Sequence, residues 1–371
     1  MSNGYEALRQ SAAWLDVSSR GRIRATGEDR VGLLHAMCSN DIESLRPGGG
    51  AYGFFLNAQG QIQTDSRIYV SEDHVLLDCE PERGPGLLRH LEKFIIMDDV
   101  TLEDLVPRST MIALEGPRAD SIASEVIGGK LPEPAPHSQS SCGGVRMFRS
   151  SLSGQPGVAI LLELAQKAGI VTSLEAAGAA AATEEDYRVV RVENQVPRCG
   201  SDFDNHLPHE TQQLHALSFT KGCYLGQEIV ERVRSRGHVN RLLVGLELAG
   251  DEAPLEGSPV IVEDKEVGRL TSPAFSPRLG CVVGFAVLRR EAARFDGERV
   301  QQFARAAEAV FGPALRVAID DCDGAQAFVA LGQRDIGVLC HCRHGCCQRE
   351  RKGAGGKYRC GFHLVLPSFS E

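Results

Sequence analysis

Apolar and polar positions alternate along much of the first 160 residues, with helix-period stretches between the alternating runs. Residues 51–57 (A-Y-G-F-F-L-N) predict a strand, 58–61 (A-Q-G-Q) a hairpin turn, and the following stretch with Ile62, Ile68 and Val70 the returning strand. Residues 74–80 (H-V-L-L-D-C-E) predict a third strand. Upstream, 19–27 carries mixed strand signals, and 28–38 predicts a helix with Val31, Leu34 and Cys38 on one face. Leu87, Leu88, Leu91 and Ile95 fall at helical spacing within 85–97. A strand at 110–117 restarts the pattern, followed by a helix near 118–127. Proline and serine in 131–140 predict a surface loop or lobe boundary. Strands near 144–149 and 157–163 precede an alanine-rich helix over 171–182. Sheets and helices alternating in this way predict an α+β fold.

The pattern changes after Gly237. Short strands at 240–248, 258–262, 267–272 and 279–287, separated by Gly, Pro and acidic turns, predict a small antiparallel barrel. The expected organisation is a first lobe over 1–130, a second over 131–237, the barrel over 238–296, and a Cys-rich extension over 297–371. The extension has a helix-like stretch at 304–311 and holds Cys322, Cys340, Cys342, Cys346, Cys347 and Cys360. Cys342, Cys346, Cys360 and His363 have spacing close to a zinc module. The loop-like R-K-G-A-G-G-K-Y-R at 351–359 argues against it, and a dangling or out-of-frame tail is the preferred reading. No metal is expected.

Bulk properties narrow the class. A chain of 371 residues with 42% hydrophobic and 24% charged residues suits two or three soluble domains. A net charge of −9 argues against non-specific coating of nucleic acid, although a local basic patch can still bind RNA. The start of the chain has no basic region followed by an apolar one, and no apolar run reaches membrane-spanning length. The expectation is a cytoplasmic monomer without membrane contact, whose twelve cysteines are free thiols or metal ligands rather than disulfides.

The densest chemistry lies in K-G-C-Y-L-G-Q-E at 221–228. Gly222 and Gly226 allow tight turns and close approach of a ligand. Leu225, Ile229 and Val233 recur every four residues, and Glu228 and Arg232 stand at i,i+4, so a helix is expected to about Gly237. Cys223 then lies at or just before a helix N-terminus, two residues from Lys221, and both neighbours favour its thiolate.

This octamer resembles the signature of YgfZ-type folate-binding proteins, relatives of the glycine-cleavage T-protein, the aminomethyltransferase. Further segments carry the likeness: S-N-D-I at 39–42, R-V-E-N-Q-V-P-R-C-G at 191–200 and P-H-E at 208–210. The resemblance implies a T-protein-like core of two mixed α/β lobes plus a C-terminal antiparallel β-barrel, with tetrahydrofolate or a one-carbon derivative between the lobes. It implies that Glu193 grips the pterin and that Tyr52 lines the folate cleft. G-Q-I-Q-T-D-S-R-I-Y at 60–69 resembles a T-protein stretch whose second aspartate, here Asp65, acts at the folate nitrogen during one-carbon transfer; Thr64 replaces the first. Asp78 is a further cleft candidate. Lys221, Cys223, Gln227 and Glu228 belong to the binding turn, and Arg232, Arg234 and Arg236 are candidate anchors for the glutamate tail or an RNA phosphate. Cys223 and Asp65 are the candidate catalytic groups. For Cys223, folate-site wall, redox-sensitive thiol and transient cluster ligand all remain open.

The expected function is tetrahydrofolate binding in support of iron–sulfur enzymes or their assembly factors and of tRNA-modifying enzymes. A true aminomethyltransferase working with a lipoyl carrier protein is the alternative, and an RNA-binding module the third.

Overall fold

The structure, a computed structural model, describes residues 2–293 apart from 249 and 263, together with the backbone of three strands between 315 and 341. Helix α1 (Asn3–Gln10) leads into β1 (Ala13–Asp16), β2 (Gly21–Thr26) and α2 (Arg30–Met37). β3 (Gly50–Leu56), β4 (Ile62–Val70) and β5 (Val75–Cys79) form the predicted meander, followed by α3 (Gly84–Glu92) and β6 (Thr101–Asp104). Strands β2 to β6 form one antiparallel sheet in the order β3-β4-β5-β2-β6. One face packs Ile23, Phe55, Ile68 and Leu77 against Leu34 and Met37 of α2 and Leu87 and Leu91 of α3. This is the half-buried alternation that its sequence carries.

β7 (Ser109–Glu115), α4 (Ala119–Ile127), β8 (Gln139–Cys142), β9 (Val145–Arg149), β10 (Gly157–Glu163), α5 (Lys167–Ala176) and β11 (Ala180–Ala181) follow. With β1 they build a six-stranded sheet, β11-β1-β7-β10-β9-β8. Residue 130, read from sequence as a lobe boundary, falls inside this sheet, between β7 and β8. The alanine run expected to continue a helix to 182 does not. Gly178 turns the chain at φ 94, and Ala180 and Ala181 pair in parallel with β1. Leu15, Met111, Phe148 and Leu161 of this sheet meet Tyr69 and Leu76 of the first, with Tyr187 and Val190 of α6 (Glu184–Glu193) in the same core. Helix α6 starts at a reciprocal cap: Asp186 N–H donates to the Thr183 hydroxyl (3.1 Å), and the Asp186 carboxylate accepts from Thr183 N–H (2.8 Å).

α7 (Gln227–Arg236) runs between Gly226 at φ 84 and Gly237 at φ 73, as its four-residue spacing predicts. Its ion pair is Arg234–Glu231 at 3.5 Å, three residues apart, rather than Glu228–Arg232. β12 (Arg241–Leu248), β13 (Pro259–Val262), β14 (Lys265–Ser276), β15 (Cys281–Arg289) and α8 (Arg290–Ala293) follow, then β16 (Leu315–Asp320), β17 (Gln326–Leu331) and β18 (Ile336–His341). Their order is β13-β14-β15-β12-β16-β17-β18. The expected small barrel is therefore an open antiparallel sheet among the described residues. The second edge of β12 pairs with β16, so β12 does not close the sheet back onto β13. The helix-like stretch 304–311 and the Cys342, Cys346, Cys360 and His363 set lie outside the described residues. No helix among the described residues is long and apolar enough to cross a membrane.

Candidate functional site

A cleft of about 410 Å³ opens where the five-stranded and six-stranded sheets meet the start of α6. Strand register sets its floor. Tyr52 of β3 lies opposite Arg67 of β4, Phe54 opposite Asp65, and Arg67 in turn opposite Asp78 of β5. Directly opposed and alternate residues share one face of a sheet, so Tyr52, Asp65, Arg67 and Asp78 all project from the side away from α2 and α3. The Tyr52 hydroxyl donates to Asp65 Oδ2 at 2.8 Å and also lies 3.3 Å from Gln213 Oε1. Tyr52 packs at shallow angles on two imidazoles, His215 with ring centroids 5.4 Å apart and His137 with 6.5 Å. His137 takes a left-handed backbone at φ 60, which turns the 134–137 loop over the cleft.

The floor is a network of buried charges. Arg20 donates to Asp78 (2.7 Å) and Glu80 (2.5 Å), Arg198 to Glu80 (2.6 Å), and Arg67 lies 3.6 Å from Asp78. Burial by itself raises the Glu80 carboxyl, but the Arg20 and Arg198 guanidinium groups hold it well below the ordinary range. Asp65 moves the other way. Burial and the charge of Glu80 raise its pKa, against the pull of the Tyr52 hydrogen bond, Arg67 and Arg20. Burial also raises the Tyr52 phenol, reinforced by Asp65. His137 is pushed down to about 4 by burial, with Arg67 and His215 adding to it, so it is a neutral ring at physiological pH. Arg20, Arg67, Arg149, Arg188, Arg191 and Arg198 all line the cleft, against Asp65, Glu80 and Glu184. An acidic protein thus carries an arginine-lined cavity, each of whose guanidinium groups is paired with a carboxylate of the same chain.

Of the residues singled out from the sequence, Tyr52 and Asp65 line this cleft. Asp78 lies just behind them, 2% exposed and committed to Arg20 and Arg67. Glu193, expected to grip a pterin, is elsewhere. It ends α6 facing α1 and β14, where its carboxylate accepts from Tyr5 (2.9 Å), Ser276 (2.5 Å) and Arg9. Its acceptor capacity serves packing of the N-terminal helix, and it is not among the residues lining the cleft. The K-G-C-Y turn also stands apart from the cleft lining. Lys221 Nζ donates to the carbonyls of His35, Cys38 (2.7 Å) and Asn40 (3.1 Å), where α2 ends, and lies 5.0 Å from the Tyr224 ring centroid. Its charge is spent on those carbonyls rather than on Cys223. Cys223 is exposed and four residues before α7, further from the helix N-terminus than the sequence spacing suggested. Gln227 opens α7, and Glu228, Arg232, Arg234 and Arg236 are on its exposed side, with Arg234 stacked over Phe219 at 4.3 Å. Gly226 is the glycine the turn requires. A Cβ there would meet the Asn57 carbonyl oxygen at 2.7 Å, whereas a Cβ on Gly222 would meet nothing within 4 Å.

Sequence reasoning missed Arg20, Glu80, His137, Arg198, Gln213 and His215. Arg67 had a usable signal, since its two-residue spacing from Asp65 in a strand puts both on one face. S-N-D-I carries another. Asn40 Nδ2 donates to the backbone carbonyls of Tyr52 (2.8 Å) and His215 (3.1 Å), tying two walls of the cleft together.

Comparison with known proteins agrees with this architecture. The family described as GCVT N-terminal domain matches residues 1–221, and the glycine cleavage T-protein C-terminal barrel domain matches 241–313. An aminomethyltransferase of Nostoc sp. is 26% identical over 306 residues, covering 78% of this chain and 80% of its own. A chloroplastic protein of Arabidopsis thaliana, whose name goes no further than transferase, is 26% identical over 294 residues, covering 78% and 68%. The crystal structure of glycine cleavage system aminomethyltransferase T from Bartonella henselae superposes with a TM-score of 0.74 at 17% identity, over 89% of this chain and 88% of that one. With its two-sheet core and following antiparallel sheet, this chain belongs to the GCVT N-terminal domain family.

Proposed function

We propose that the cleft binds tetrahydrofolate or a one-carbon derivative, with the pteridine beside Asp65 and the His137–Tyr52–His215 rings and the glutamate tail toward the arginines. The observation that carries this reading is the buried Asp65–Tyr52 pair at 2.8 Å in a cavity whose other charges are mostly guanidinium. Asp65 would accept from a ring N–H and stabilise positive charge building on that nitrogen during one-carbon transfer. The cavity volume falls within the range of small-molecule sites. Folate would supply the one-carbon chemistry. The chain's residues would orient the ring, exclude water and hold the proton at the reacting nitrogen.

Two finer readings divide on what the bound folate serves. The K-G-C-Y-L-G-Q-E turn supports a YgfZ-type role for iron–sulfur enzymes and tRNA-modifying enzymes, with the exposed Cys223 as a group acting outside the cleft. The aminomethyltransferase relatives support transfer from a lipoyl carrier protein instead. Calorimetric titration of wild type and Asp65→Asn with tetrahydrofolate tests the shared reading. Micromolar binding weakened about tenfold or more by the substitution is expected, and no binding by wild type would refute it. Turnover with an aminomethyl-lipoyl carrier, abolished by Asp65→Asn, would decide for the transferase.

A further inference from the structure

Glu115 ends β7 opposite Gly157 of β10, and it is 1% exposed. Gly157 makes room for the side chain, since a Cβ there would meet Glu115 Cγ at 2.6 Å. The carboxylate takes its donors from one loop rather than from a cation. Leu152 N–H (2.6 Å), Ser153 N–H (3.0 Å), the Ser151 hydroxyl (3.0 Å) and the Ser153 hydroxyl all donate to it. The two hydroxyls in turn accept from Gly154 N–H (2.8 Å) and Gln155 N–H (3.2 Å). A carboxylate this deep needs such donors in place of water, so it binds the 151–153 loop in one conformation. That conformation presents the Ser151 carbonyl to Arg67, whose Nη2 donates to it at 2.8 Å. Ser151, Leu152 and Gly157 all line the cleft.

Arg67 and Asp65 are alternate residues of β4 and project from one face of the sheet. They form no ion pair. The side-chain hydrogen bond of Arg67 goes to Ser151, and its Nη1 stands 3.6 Å from Asp78. The Asp65 carboxylate keeps the Tyr52 hydroxyl as its partner. Resting on the folate reading above, we infer that Glu115 is a positioning residue: through the 151–153 loop it holds Arg67 off Asp65, leaving that carboxylate open to an N–H of the ligand. An Arg67 released from Ser151 gains most at Asp65, because Asp78 already takes Arg20 at 2.7 Å. An Arg67–Asp65 pair would keep the carboxylate charged but occupied, and a ligand would have to displace a guanidinium to reach it. The other titratable groups around Asp65 are Tyr52, Arg20, Cys79, Glu80, Arg83 and Cys199, and all are left intact in the variants that follow.

The test follows the Asp65 carboxyl by carbon-13 NMR titration of the ligand-free protein, its signal assigned with Asp65→Asn. Wild type, Glu115→Gln, Arg67→Met and the double variant are compared, and tetrahydrofolate dissociation constants are measured beside them. Glu115→Gln should lower the Asp65 midpoint by about half a pH unit or more, since a guanidinium then sits on it. It should also weaken tetrahydrofolate about threefold or more. Both changes should vanish in the Arg67→Met background, an outcome that general loosening of the loop would not give. Should Glu115→Gln fail to fold, Ser153→Ala removes one donor from the same carboxylate and should shift the midpoint in the same direction. An Asp65 midpoint unchanged or raised by the loop variant, or lowered equally without Arg67, overturns the inference and leaves the folate reading standing. Wild type that binds no tetrahydrofolate overturns the folate reading, while the titration still decides what Glu115 does to Arg67.

Discussion

Asp65 and Glu193 are both buried carboxylates, but the chain surrounds them differently. Glu193 is saturated: Tyr5, Arg9 and Ser276 all donate to it, and its side chain has no exposed surface. Asp65 receives the Tyr52 hydroxyl, while the cations that lower its pKa, Arg67 and Arg20, are engaged with Asp78, Glu80 and the Ser151 carbonyl. The first arrangement fixes a helix to a sheet. The second leaves lone pairs and a raised pKa facing a cavity, a combination that costs stability and that ligand binding can recover. Two carboxylates of similar burial therefore have different surroundings, and their partners separate them better than their sequence motifs do.

The largest effect expected from breaking this contrast is at Glu193. Glu193→Ala strips the Arg9 guanidinium and two buried hydroxyls of their partner, and should cost about 3–5 kcal/mol in urea unfolding. Tetrahydrofolate affinity of the folded protein should stay at the wild-type value. A variant of near-normal stability with lost affinity would reverse the assignment of the two carboxylates.

A smaller effect comes from the cleft's neutral imidazole. The folded-state pKa of His137 is about 4 against an ordinary 6.5, so the native state refuses a proton that the unfolded chain accepts. Its contribution is therefore complete above pH 6.5 and is lost as the pH falls toward 4, by on the order of 2 kcal/mol after allowing for its partial exposure. Asp65 has the opposite sign. Its raised pKa makes stability fall as pH rises from 3.8 through the folded value. Denaturant titrations at pH 7 and pH 4 should show a shallower acid loss for His137→Phe than for wild type. An equally steep loss would mean that this ring is not held neutral by the cleft.

The fold was more legible than the site, for a physical reason. Strands β3, β4 and β5 declare themselves through local alternation, and α7 through the spacing of Ile229 and Val233 with Leu225 two residues ahead of its start, because each periodicity lies in or beside its own element. α6 was missed because its charged residues, Arg191 and Glu193 among them, are turned inward into ion pairs, and this masks the apolar stripe. The cleft draws on residues near 15–20, 52–80, 134–157, 184–198 and 213–215, so no contiguous window contains its chemistry. A contiguous octamer draws the eye to 221–228, where Lys221 in fact caps the end of α2. Tyr52 and Asp65 line the cleft together because a strand pair brings them side by side within one hairpin.

The smallest expected effect also sharpens the comparison most. Cys223 is exposed and does not line the cleft, and Lys221 faces the α2 carbonyls. Cys223→Ser should change unfolding free energy by less than about 0.5 kcal/mol, as exposed substitutions do. It should also leave tetrahydrofolate affinity at the wild-type value by calorimetry. Loss of affinity would mean that the bound ligand reaches the turn and that the cavity extends beyond its present walls. The informative case is retained affinity combined with failure to restore iron–sulfur enzymes in a deficient strain. The thiol would then act on a partner at the surface while the folate stays inside, so that ligand binding and the cellular role reside on two faces. Those faces would be joined through one segment, because Lys221 donates to the Asn40 carbonyl while the Asn40 amide donates to the Tyr52 and His215 carbonyls.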